Sequence, residues 1–180
     1  ILNEYKRWID CASDEEIKQE LALMKDNFEE INESFYKELD FGTSGMRGIL
    51  GAGTNRLNTY VLRRSNLALA SHINKNCASK SVVISYDSRK NSSRFARETA
   101  DLMSAMGIKA YLFSELTPVP VLVYAITKLS CDYGIMITAS HNPAVYNGYK
   151  VYGKHGYQII GRELDSILKE QERFDYFDEV

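Results

Sequence analysis

Between Val82 and Thr138 short apolar runs alternate with amphipathic ones, and this rhythm limits the possible folds more than any other feature of the chain. Val82 to Tyr86, Ile108 to Phe113 and Tyr133 to Thr138 read as strands. Ser92 or Ser93 caps an intervening helix with Phe95, Leu102, Met103 and Met106 on one side and Gly107 as its stop, and Pro118 to Lys128 fits a second helix. Strand, helix, strand, helix, strand with short links predicts βαβ crossovers and therefore a sheet covered on both faces. The expected fold class is α/β: a three-layer α/β/α arrangement with a mostly parallel, mixed sheet of about four strands plus a hairpin. Ligands of such sheets sit beyond the carboxyl ends of the strands. Chemistry is expected at residues 87–90, 114–120 and 139–148.

Ahead of the sheet the pattern is helical. Trp8 and Ile9, then Ile17, Leu21 and Met24, then Phe28, Ile31 and Phe35 recur at three- and four-residue steps among charged residues. Ser13 with Glu16 three places on makes a capping box for the second stretch. Residues 1–40 read as a helical extension and 41–180 as the domain proper. Asn58 or Thr59 caps a further helix running to about Cys77, with Val61, Leu62, Leu69 and Ile73 on its apolar face.

The chain has 180 residues with 44% in the hydrophobic set, enough for one well-cored domain. Its net charge of −2 supplies no overall basic field, which argues against a nucleic-acid partner. The charge is uneven, however. Residues 1–40 carry 5 basic and 12 acidic side chains, residues 41–160 carry 14 and 5, and residues 161–180 carry 3 and 7. The basic middle suits an anionic ligand. No apolar run approaches the roughly 20 residues that span a bilayer, and no signal peptide is recognisable, so a cytoplasmic protein without a membrane partner is expected. Cys11, Cys77 and Cys131 are odd in number and widely spaced, which predicts reduced thiols.

Ser140 follows an apolar strand and precedes His141 and Asn142. Asn147-Gly148 offers a two-residue turn that would fold Tyr149 to Tyr152 back and bring Lys150 toward Ser140. A serine hydroxyl is a weak nucleophile and needs a base or a strongly electrophilic partner held in line. Acyl transfer fits poorly, because neighbours in an extended chain point to opposite sides and no G-x-S-x-G elbow is present. No labelling by fluorophosphonates is expected. Phosphoryl transfer needs a hydroxyl, cations around the phosphate oxygens and main-chain N–H groups, and Lys150, Arg47 and the nearby glycines provide them. Five of the chain's 11 glycines fall between Phe41 and Gly53, where Thr43, Ser44 and Arg47 add donors. Arg89, at a strand end, is a further phosphate-binding candidate. An isolated serine in a loop is usually only a turn residue; His72 and His155 have no spaced partner and receive no role.

Taken together, these segments resemble the α-D-phosphohexomutase family, in its phosphoglucomutase and phosphomannomutase branch. The resemblance rests on Thr138-Ala139-Ser140-His141-Asn142-Pro143, on Tyr146-Asn147-Gly148-Tyr149-Lys150 and on Phe41-Gly42-Thr43-Ser44-Gly45-Met46-Arg47-Gly48, with Tyr86-Asp87-Ser88-Arg89 and Thr117-Pro118-Val119-Pro120 in the family's order. It implies reversible movement of phosphate between the 1- and 6-positions of a hexose. Ser140 would carry the phosphate and Lys150 would be the acid/base. Arg47 and His141 would hold the phosphoserine, Asn142 would shape its loop, and glucose 1,6-bisphosphate would act as activator. The resemblance also implies Mg²⁺ bridging the phosphoserine and three aspartates. No Asp-x-Asp-x-Asp occurs in this chain, so the expectation is a first domain, partnered by further domains of the same enzyme and inactive on hexose phosphate alone. The alternative is a non-catalytic phosphosugar-binding module of the same fold. Gly51 to Arg56 and the long lead-in favour phosphoglucomutase by resemblance.

Overall fold

The computed structural model describes residues 1–42 and 45–179. Seven helices and six strands follow in the order α1 (Leu2–Cys11), α2 (Glu15–Leu23), α3 (Phe28–Phe35), β1 (Phe41–Gly42), β2 (Gly45–Ile49), α4 (Thr59–Asn76), β3 (Ser81–Tyr86), α5 (Ser92–Ala105), β4 (Lys109–Leu112), α6 (Val119–Lys128), β5 (Tyr133–Ile137), β6 (Tyr146–Gly153) and α7 (Arg162–Gln171). The strands form one mixed sheet in the order β1-β2-β6-β5-β3-β4. β5, β3 and β4 run parallel, as the crossovers through α5 and α6 require. β6, β2 and β1 extend the sheet antiparallel from β5.

β-branched runs make the central strands. β3 is buried along its whole length, and alternate side chains feed two cores. Val82, Ile84, Ile135, Ile137 and Val151 join the larger core, with α4, α5 and α7. Val83, Met136 and Tyr152 face Leu122 and Ile126 of α6. The sheet is thus the middle of three layers. No helix among the described residues is long and apolar enough to cross a membrane, and the three cysteines are unpaired.

Local signals account for most boundaries. Asn58 Oδ1 accepts from the N–H groups of Tyr60 and Val61, capping α4. Gly107 takes φ 76°, and the bonds Gly107 N–Ser104 O and Ile108 N–Met103 O close α5 in a Schellman turn. The start of α5 differs from expectation. Asn91, left-handed at φ 65°, occupies the N-cap without a side-chain bond to the helix backbone, and the Ser92 hydroxyl donates to Asp87 Oδ1 at 2.8 Å. Ser13 is not the cap of α2 either. Asp14 Oδ1 accepts from Ile17 N, while the N–H groups of Ser13 and Asp14 both donate to the Tyr60 hydroxyl. The backbone at residue 13 is drawn to a residue the local pattern does not contain.

In the extension Trp8, Ile17, Leu21, Met24, Ile31 and Phe35 are buried as the periodicity predicts, whereas Ile9 and Phe28 are exposed. Trp8 meets Phe35, Tyr60, Tyr176 and Phe177 in ring contacts of 5.4–5.6 Å. One further expectation is corrected. Asn147-Gly148 is not a turn but lies inside β6, opposite Gly48 and Arg47 of β2. The chain reverses earlier, between the end of β5 and Tyr146.

Candidate active site

The reversal between β5 and β6 carries Ser140. Its φ of 58° is left-handed, a conformation unusual for a residue with a side chain and one that recurs at functional sites. The Ser140 N–H donates to Thr138 Oγ1 at 2.9 Å, and the Thr138 hydroxyl in turn donates to Asp87 Oδ2 at 2.6 Å. A carboxylate at the end of β3 thereby fixes the serine at the end of β5.

Lys150 reaches the same point along β6. The β5–β6 register sets it opposite Met136, and its Nζ donates to Ser140 Oγ at 2.7 Å. Lys150 is only 9% exposed while Ser140 is open to solvent. Burial lowers the Lys150 pKa, and the nearby Arg47 charge lowers it further. Arg47 comes from β2, across from Gly148. A Cβ on Gly148 would lie 2.5 Å from Thr138 O, 2.7 Å from Met46 O and 3.2 Å from Arg47 Cγ, so only glycine lets these strands close around the site. The Arg47 Nη1 donates to Asn142 Oδ1 at 3.1 Å, while its Nε is buried without a hydrogen-bond partner among the described residues. Lys150 therefore meets the exposed Ser140 hydroxyl directly, the Arg47 charge lies close enough to act on the lysine, and the lysine's hold on its proton is weakened.

Arg89 is placed otherwise than as a direct phosphate contact. Its Nη1 donates to the carbonyls of Pro143 at 2.9 Å and Tyr146 at 3.0 Å, and its Nη2 to those of Ser140 at 2.8 Å and Asn142 at 2.7 Å. Asp87 balances its charge, with Arg89 Nε 3.2 Å from Asp87 Oδ2. His141 is exposed, and its imidazole has no hydrogen-bond partner among the described residues. Thr43 and Ser44 lie outside the described residues. The 114–120 segment turns to the sheet: the Thr117 carbonyl accepts from Ser85 Oγ at 2.6 Å.

Three residues without an expected role organise the site. Asp87 accepts from Thr138, Ser92 and both the main chain and the guanidinium of Arg89. Thr138 relays it to Ser140. Asn147, fully buried, donates to Lys90 O at 3.0 Å and Ser92 Oγ at 2.8 Å, tying the strand of Lys150 to the loop of Asp87. An acid directly after a buried strand was the available signal for Asp87.

The sequence pattern of phosphoglucomutase/phosphomannomutase, alpha/beta/alpha domain I, matches residues 38–176. The chain belongs to this family. The phosphoglucomutase of Staphylococcus epidermidis is 39% identical over 157 residues, which cover 84% of this chain and 28% of that protein. That of Staphylococcus aureus strain USA300 is 40% identical over 152 residues, covering 84% and 27%. Among solved structures, a phosphoglucomutase/phosphomannomutase family protein from Burkholderia thailandensis superposes with a TM-score of 0.62 at 28% identity, covering 75% of this chain and 30% of the other. The chain spans little more than a quarter of the length of the curated relatives it matches.

Mg²⁺, which the family resemblance implies, does not fit the residues of this domain taken alone. Among the described residues no three His, Cys, Asp or Glu side chains gather as a ligand set. Lys150 on Ser140 and Arg47 on Asn142 of the same loop are basic groups, which suit a phosphate and repel a metal ion.

Proposed function

We propose that this chain is the phosphoserine-bearing domain of an enzyme that interconverts hexose 1-phosphate and hexose 6-phosphate through a bisphosphate intermediate. The observation that supports this best is the 2.7 Å contact of Lys150 Nζ with Ser140 Oγ beside Arg47. When Ser140 Oγ attacks the phosphorus of a sugar bisphosphate, the new Oγ–P bond forms as the bond from phosphorus to the sugar oxygen breaks. The serine proton passes to Lys150, whose depressed pKa suits it to accept, and the departing sugar oxygen takes a proton from water to leave as a hydroxyl. In the reverse direction the protonated lysine returns that proton to Ser140. Arg47 offsets the charge of the transferring group. Asn142 keeps Arg47 aimed at the loop, and His141 lies beside the phosphate. Residues 1–40 serve as a helical extension docked on the domain, and the sugar is selected by other domains of the same enzyme in the cytoplasm.

The experiment is transfer from glucose 1,6-bisphosphate, supplied with Mg²⁺ and the remaining domains of a homologous phosphoglucomutase, read by intact mass and peptide mapping. One phosphate on Ser140, absent from Ser140→Ala, is expected. A chain that binds the bisphosphate yet never gains mass would be a phosphosugar-binding module instead.

A further inference from the structure

The four carbonyls held by Arg89 dictate where the N–H groups of the same loop point. Every described peptide bond is trans, and in a planar trans peptide the C=O of one residue and the N–H of the next project in opposite directions. Drawing the carbonyls of Ser140, Asn142, Pro143 and Tyr146 to Arg89 therefore turns the N–H groups of His141, Ala144 and Asn147 away from it. Residue 143 is proline and has none. Asn147 already lies within the β2–β6 ladder. The N–H groups of His141 and Ala144 have no acceptor among the described residues, and both residues are exposed.

We propose that these two N–H groups form a main-chain cradle for the phosphate carried on Ser140, and that Arg89 is the positioning residue that orients it. The proposal rests on Ser140 being the phosphoryl carrier. The His141 N–H belongs to the peptide that leaves Ser140, so it lies within reach of a dianion on Oγ. Arg89 acts through the loop: its planar fork brackets four carbonyls, and with their negative ends gathered on the guanidinium side, the positive ends face outward. A lysine ammonium, a point charge on a flexible stem, cannot bracket them in that way. Residue 141 thus contributes through its backbone, in keeping with an imidazole that meets no described partner.

The test installs phosphoserine at position 140 of the full chain by genetic encoding, which bypasses phosphoryl transfer, and compares backbone amide NMR spectra with the unmodified protein. The His141 and Ala144 amide protons should move downfield and exchange more slowly with solvent, titrating with the second ionisation of the phosphate near pH 6. In Arg89→Lys the displacement should shrink, while His141→Ala should retain it. Amides that stay in place in the phosphorylated wild-type chain overturn the cradle, whatever the variants do. A displacement undiminished in folded Arg89→Lys overturns the role of Arg89. Failure of Ser140 to accept phosphate from the bisphosphate bears on the transfer reaction alone, because here the phosphate is already in place.

Discussion

Lys150 shows the conflict between chemistry and stability at a single residue. Its pKa in the folded chain is lowered by burial and by Arg47. Between that lowered value and the unfolded one, the folded state holds fewer protons, so stability rises with pH through the window. At pH values below that window the cost of burying the charged form is present in full. Lys150→Met removes that cost and the base together. The thermal midpoint at pH 7 should hold or rise while phosphate transfer to Ser140 slows by about 10²–10⁴-fold. A parallel loss of stability in calorimetry would instead make Lys150 a structural residue. The approach of Lys150 to Ser140 was legible from the expectation that the chain folds back after Ser140, although the Asn147-Gly148 turn expected to do this is strand and the reversal comes earlier. Asp87 and Thr138 were not, because a lone carboxylate says nothing of the hydroxyl of a residue on another strand.

At the scale of elements, the strands and helices were legible from runs and periods, and the errors fell where a tertiary partner overrode a local signal. Ser13 carries the capping-box pattern, but Tyr60 claims its backbone and Asp14 becomes the cap, with Arg94 paired to the other oxygen. Asp14→Ala should therefore cost about 1–2 kcal/mol in urea unfolding and Ser13→Ala less than about 0.5 kcal/mol; the opposite order would restore Ser13 as the cap. Asn147-Gly148 carries a hairpin signal, yet Asn147 finds acceptors at Lys90 and Ser92 and stays in a strand. Gly148 is needed there for space, since its φ is not in the left-handed region. Gly148→Ala forces a methyl against two carbonyl oxygens at 2.5 and 2.7 Å, and neither backbone can retreat without parting β6 from its neighbours. A loss of about 3 kcal/mol or more is expected, with the Ser140–Lys150 contact broken before the rest of the sheet. Transfer measured well below the melting temperature should fall with it.

Over the whole molecule, the acidic flanks and basic middle neutralise each other in part. Glu16 pairs with Lys90 at 2.6 Å, Glu38 with Arg64 at 2.8 Å and Glu170 with Lys75 at 2.6 Å, and Asp14 pairs with Arg94. Much of the positive charge that suggests an anionic ligand is thus answered within the chain, and what remains near Ser140 is Arg47 and Lys150. Exposed pairs contribute little singly, and the apolar contacts of Trp8 do more to hold the extension in place. Glu170 is the exception in its number of partners. It accepts from Lys75, Ser71 and Arg173 where α7 packs on α4, and its carboxyl is pushed down to about 2 from 4.5. A carboxyl lowered in the fold adds stability that is complete above its unfolded pKa and disappears as pH falls through the folded one. The α7–α4 contact should therefore weaken between about pH 4.5 and pH 2. Tyr176 and Phe177, just beyond α7, touch Trp8, the chain's one tryptophan, so its emission reports the event. Glu170→Gln should melt lower than wild type at pH 7 and show a shallower fall in melting temperature across that acid window. Equal slopes in the two proteins would place the acid-sensitive contact elsewhere, with the Arg7–Asp175 pair as the next site to test by Asp175→Asn.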